Sequence, residues 1–124
     1  MGYVIVDTSS ILFGFANRKS VFEAVSAELG EKCMVSKGII SELTKISRRK
    51  GTGGGEAMAA LRELSLKGIK TEADSKYPDS WIKEQAGSKE VSAVVTNDTR
   101  LASAIKNKVV VFKFSREGKL KKFR

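Results

Sequence analysis

Four acids occupy places from which they can act together. Asp7 ends the apolar run Tyr3 to Val6, and Asp98 follows the run Val91 to Val95 with Thr96 and Asn97 between. Glu42 stands at the edge of an apolar helical stripe, and Asp79 follows Pro78 at a helix start. Each has an ordinary reading alone. An acid beside a strand end is often a turn or cap residue, and Thr96, Asn97 and Asp98 are all good helix caps. Asp79 is a favourable partner for a helix dipole, and Glu42 is an ordinary solvated flank residue. As a set they mean more. Two acids at strand ends and two near helix starts can converge on one edge of a parallel sheet, where they would repel one another unless cations compensate. Oxygen ligands without histidine or thiolate suit Mg²⁺ or Mn²⁺. Such ions keep waters that leave room for phosphate oxygens, and a pair ~3.5–4 Å apart supports in-line displacement at phosphorus. Thr8, Ser9 and Ser10 add hydroxyls beside Asp7 that can ligate an ion or orient a water.

The rest of the composition narrows the chemistry. There is no histidine, so histidine triads, histidine zinc ligands and histidine acid–base pairs are excluded. The one cysteine, Cys33, lies in an apolar run and reads as a small buried hydrophobe. The formal charge is +9, from 23 basic against 14 acidic residues, which favours a polyanionic partner such as nucleic acid. No apolar run approaches the ~20 residues of a membrane span, and the start lacks the pattern of a secretory leader. The expectation is a cytoplasmic chain, residues 1–124 forming one domain, with 115–124 as a basic turn or tail.

Strands and helices alternate along the sequence. Strands are expected at Tyr3 to Val6, Lys32 to Val35, Ile69 to Thr71, Val91 to Val95 and Val109 to Phe114. Ser20 and Ser36 can cap helices, the first running from Val21 to Leu29 and stopped by Gly30, the second with Ile39, Ile40, Leu43 and Ile46 as its buried stripe. Further helices fit Glu56 to Leu66, Ser80 to Ala86 and Asp98 to Lys106. Asp7 to Asn17 reads as a turn-like stretch, and Lys119 to Phe123 as a short hairpin strand or a basic tail. Phe112, Phe114, Phe123 and Trp81 read as packing residues. This alternation implies an α/β fold with a parallel sheet covered by helices on both faces, and a site outside the carboxyl ends of its strands.

At these residues the sequence resembles the PIN-domain family of ribonucleases. Val4-Ile5-Val6-Asp7-Thr8-Ser9 is similar to the family's opening strand and acid, and Ile39-Ile40-Ser41-Glu42-Leu43 to its second motif. The run from Asp79 to Ala86 resembles its third motif, and Val94-Val95-Thr96-Asn97-Asp98-Thr99-Arg100-Leu101 its last. The resemblance spans about Tyr3 to Lys113. It implies a three-layer α/β/α sandwich with a central, mostly parallel sheet. It also implies that Asp7, Glu42, Asp79 and Asp98 are catalytic and metal-binding, with Ser9 and Thr96 as supporting polar groups. Glu72 and Asp74 lie close enough in sequence to take the place of Asp79. The implied activity is endonucleolytic RNA hydrolysis by metal-activated water with Mg²⁺ or Mn²⁺, leaving 5′-phosphate and 3′-hydroxyl ends. The biological roles that follow are RNA processing or a toxin ribonuclease, with a homodimer, an antitoxin or a ribosome-maturation protein as partners besides RNA. The other class of reading is a non-catalytic RNA-binding module whose acids hold a structural cation.

One low-complexity stretch lies outside the four motifs. Arg48, Arg49 and Lys50 precede Gly51-Thr52-Gly53-Gly54-Gly55, one to two turns after Glu42. Its basic side chains and open backbone fit phosphate contact; a mobile solvated connection fits equally well. It is not a nucleotide-binding P-loop, because no Gly-Lys-Ser/Thr follows it.

Overall fold

The structure is a computed structural model that describes residues 2–49, 51, 53–74 and 77–124. The elements run β1 (Tyr3–Val6), α1 (Thr8–Ala16), α2 (Val21–Leu29), β2 (Lys32–Ser36), α3 (Lys37–Ser47), α4 (Gly54–Leu66), β3 (Lys70–Glu72), α5 (Pro78–Gln85), β4 (Val91–Val95), α6 (Thr99–Ile105), β5 (Val110–Phe114) and β6 (Leu120–Lys122). They build one sheet in the order β3-β2-β1-β4-β5-β6. The first five strands are parallel, and β6 folds back antiparallel on β5. The segment after Ser115 is therefore the hairpin strand rather than the trailing tail.

The central strands are apolar because both their faces are covered. Val4, Ile5 and Val6 of β1 and Val94 and Val95 of β4 are completely buried. α1 to α4 contact one another on one side, and α5 contacts α6 on the other, the arrangement that right-handed crossovers impose. The result is the expected α/β/α sandwich with a mostly parallel sheet. From β1 the chain crosses to β2 on one flank; from β4 it crosses to β5 on the other. The carboxyl ends of β1 and β4 thus flank the point where the direction of winding reverses, and a crevice opens there.

The stretch from Asp7 to Asn17 departs from the expected turn: Thr8–Ala16 is the helix α1. Its small hydroxyl residues and Gly14 are weak helix formers, but the helix is capped by Asp7, whose side chain accepts from the Ser10 N–H, and it buries Ser10, Ile11 and Gly14. Capping and tertiary burial outweigh propensity. Elsewhere the expected caps hold. Ser20 accepts from the Glu23 N–H and Ser36 from the Ile39 N–H. The glycine-rich connection is shorter than its composition suggests, since Gly54 and Gly55 already belong to α4. Gly51 and Gly53 take positive φ angles of 100° and 96°, a conformation that requires glycine.

Candidate functional site

The end of β1 delivers Asp7 into a dense set of hydrogen-bond donors. Oδ1 accepts from the Ser10 N–H at 2.9 Å and from Ser9 Oγ at 2.9 Å. Oδ2 accepts from Ser9 Oγ at 2.8 Å and from Thr96 Oγ1 at short range. The two hydroxyls are themselves held by the loop after β4: the Asn97 N–H donates to Ser9 Oγ at 3.0 Å, and the Asp98 N–H to Thr96 Oγ1 at 3.1 Å. Backbone donors of one loop therefore reach the carboxylate of the other through Ser9 and Thr96. Ser10 Oγ ties the loops again by bonding the carbonyls of Asp7 and Val95.

Asp7 is only 5% exposed. Burial pushes its pKa up from the ordinary carboxylate value, and the bonds from Thr96, Ser10 and Ser9 pull it partly back. A carboxylate in this position is short of positive charge, since its partners among the described residues, Ser9, Ser10 and Thr96, are neutral donors.

The other three acids surround the mouth of the same crevice. Glu42, on the exposed side of α3, accepts from Thr8 Oγ1 at 2.7 Å through Oε1. Asp98 caps α6, accepting through Oδ1 from the N–H groups of Arg100 and Leu101 at 2.9 and 3.2 Å. Asp79 opens α5 directly after Pro78 at the first helical position, where the missing N–H of proline costs nothing. A cavity of about 330 Å³ is lined by Asp7, Thr8, Ser9, Ile39, Glu42, Pro78, Asp79, Ile82 and Asp98. All four expected acids and Ser9 are brought together, while Thr96 stands behind Asp7, fully buried.

Glu72 and Asp74 do not join them. Asp74 turns to the start of α3, where Oδ1 accepts from the Gly38 N–H at 3.1 Å, and Glu72 pairs with Lys70. Arg48 and Arg49 do not line the cavity either; Arg48 caps the end of α3, about 9 Å of helix rise beyond Glu42. Lys50 lies outside the described residues.

Among the described residues no three acids lie close enough to hold an ion in common, although four border one cavity. Repulsion opposes closer approach, and Asp7, Glu42 and Asp98 each turn at least one oxygen onto a donor of the chain. The chemistry of the set still fits a hard divalent cation. Among the described residues it offers carboxylate and hydroxyl oxygens, around a buried carboxylate without a cationic partner.

Asn97 is a part of the site that its sequence position hid. Its side chain donates to the Phe114 carbonyl at 3.0 Å and accepts from the Phe114 N–H at 2.8 Å. That two-way clip fixes the loop carrying Thr96 and Asp98 onto β5. The run Thr96-Asn97-Asp98 signals caps, and only the third residue serves as one.

A sequence model of the family described as PIN like domain matches residues 4–116. No curated protein matches the chain in sequence. Among solved structures, the PIN domain endonuclease Utp24 superposes with a TM-score of 0.78 at 22% identity, covering 98% of this chain and 91% of that one. A domain of a functionally unknown protein from Methanocaldococcus jannaschii DSM 2661 superposes with a TM-score of 0.61 at 18% identity, covering 93% and 92%.

Proposed function

We propose, from the premise that the chain belongs to the PIN-like domain family, that it is a divalent-cation-dependent endoribonuclease working at the Asp7 crevice. The family is one of nucleases, and one of the structural neighbours is itself described as an endonuclease. The observation that carries the reading is the placement of Asp7, Glu42, Asp79 and Asp98 around one cavity at the winding reversal of the sheet. Asp7 would be the innermost ligand of Mg²⁺ or Mn²⁺, with Asp98, Glu42 and Asp79 at the mouth. The bound cation would supply Lewis acidity towards water and the phosphodiester oxygens.

The chain's own groups do the rest. Ser9 and Thr96, each pinned by a backbone N–H, keep the Asp7 carboxylate in one orientation. Thr8 holds Glu42 towards the mouth. Ile39, Pro78 and Ile82 give the cavity an apolar wall, which lowers the local dielectric and strengthens every charge interaction beside it. In the reaction a water oxygen bonds to phosphorus and the P–O3′ bond breaks, leaving a 5′-phosphate and a 3′-hydroxyl. The net charge of +9 suits RNA as substrate and favours RNA processing over the toxin role. Arg48 and Arg49 would touch phosphates away from the reacting bond.

The test is cleavage of a pool of 5′-labelled structured and single-stranded RNAs with Mn²⁺, Mg²⁺ or EDTA. Cleavage is expected with either metal and not with EDTA. Asn is as good a helix cap as Asp, so Asp98→Asn removes charge and spares α6. Asp98→Asn and Asp7→Asn should each lose more than the ~10–100-fold that an outer partner of a metal site typically contributes. Binding without cleavage under every metal would instead favour the RNA-binding module with a structural cation. Unchanged turnover in both variants would remove these acids from the chemistry.

A further inference from the structure

Beyond the crevice, the hairpin β5–β6 presents an unusual pair. Lys113 and Lys121 are direct cross-strand partners, which puts their side chains on one face with Cβ atoms ~4.5–5.5 Å apart, and like charges so placed repel. Among the described residues neither ammonium has a carboxylate partner; the ion pairs found there use Lys67 and Lys70. Lys113 is nevertheless held in place. Its Nζ donates to Thr99 Oγ1 at 2.9 Å and sits 5.5 Å from the centre of the Phe123 ring. Thr99 directly follows Asp98, which borders the acidic cavity. Because β5 runs parallel to β4, Lys113 belongs to the same carboxyl edge of the sheet as Asp7 and Asp98. Moving sideways along that edge, the chain offers the acidic cavity, then Thr99, then Lys113, then Lys121.

We propose that this lysine pair binds the phosphodiester backbone of the RNA strand where it leaves the cavity. The proposal rests on the nuclease reading for where the strand starts, and on charge complementarity for where it goes. An ammonium has three donors, so Lys113 keeps two for phosphate after bonding Thr99. Its half-buried stem and the ring beside it limit the entropy lost on binding, whereas the exposed Lys121 is free to follow the strand. A phosphate between the two ammonium groups turns their repulsion into attraction. The pair is also distinct from Arg48 and Arg49, which follow the end of α3 and do not line the cavity.

The experiment measures binding of a labelled single-stranded RNA by the full chain in EDTA across a salt series. It compares the double variant Lys113→Gln/Lys121→Gln with Lys32→Gln/Lys108→Gln. Both remove two charges, and glutamine keeps most of the aliphatic stem. Lys32 starts β2 and Lys108 precedes β5, so the second pair lies at the amino edge of the sheet. Each phosphate contact on a single strand contributes ~0.7 to the slope of log K against log salt. The first variant should flatten that slope by about 1.4 and weaken binding at low salt at least several-fold, and the second should leave the slope nearly unchanged. Equal flattening by both pairs, flattening by neither, or no binding of RNA by the parent protein would each overturn the proposal. Cleavage by the parent protein with Mn²⁺ is scored separately. A slope difference without cleavage would count against the nuclease reading and leave the lysine pair standing as an RNA contact.

Discussion

Asp7 carries a cost in stability at the place where the proposed chemistry needs a carboxylate. Its folded carboxyl has a raised pKa because of burial, so it holds its proton to higher pH in the folded chain than in the unfolded one. The stability tied to this group is complete below the unfolded value of 3.8 and is lost as pH rises through the raised folded value. At neutral pH, above the unfolded value, this group is thus a cost to the fold. Asp7→Asn should melt a few degrees above the parent protein at pH 7 in EDTA, with the gap narrowing as the pH is brought towards 4. Thermal scans across pH check this, and a variant that melts lower at pH 7 would mean that the hydroxyl cradle more than offsets burial. Thr96 predicts the opposite. Thr96→Val deprives the Asp98 N–H of its acceptor and Asp7 of a donor, a loss of about 1–3 kcal/mol. In urea the midpoint should fall without a change in slope, and Thr96→Ser should restore most of it.

At the scale of elements, α1 decides how the crevice is built, because its first turn caps on Asp7 and its body packs against β5. Gly14 is the contact point. A Cβ there would lie 2.7 Å from the Lys19 carbonyl oxygen and 2.7 Å from the Phe114 ring. Gly14→Ala should destabilise the fold by roughly 1–3 kcal/mol through overpacking, although alanine is the better helix former; chemical denaturation measures it. The same helix marks the limit of what the sequence discloses. The strands, the capped helices α2 and α3 and the order of the sheet's layers were legible, because period, caps and apolar runs are local signals. Asp7 and Asp98 were legible as strand-end acids, and the cavity places Glu42 and Asp79 beside them. α1 was not, since Thr8, Ser9, Ser10 and Gly14 carry turn chemistry locally and become helical through the Asp7 cap and contacts with α4 and β5. For the same reason the Asn97 clip and the bond from Thr8 to Glu42 left no local trace: both join residues that only the finished sheet brings together.

On the scale of the whole molecule, charge is distributed against itself. A chain with a net +9 gathers four carboxylates at one edge of its sheet, where their repulsion opposes folding and attracts cations. If a divalent ion binds there and not to the unfolded chain, it must stabilise the fold by mass action, by ~2.7 kcal/mol at a hundred times its dissociation constant. For a domain of this size that corresponds to a rise in melting temperature of roughly 10 °C. Mn²⁺ and Mg²⁺ should therefore raise the melting temperature of the parent protein at pH 7, and the rise should grow with the logarithm of ion concentration. It should shrink as the acids protonate at low pH, and it should nearly vanish in Asp7→Asn. Monovalent salt at matched ionic strength should not reproduce it, because screening relieves repulsion between exposed charges but does little for the buried Asp7. A rise of equal size in the parent and in Asp7→Asn would place the cation elsewhere on the molecule. No rise at any concentration would mean that the acids alone do not hold the ion, and would count against a cation site formed in the free protein.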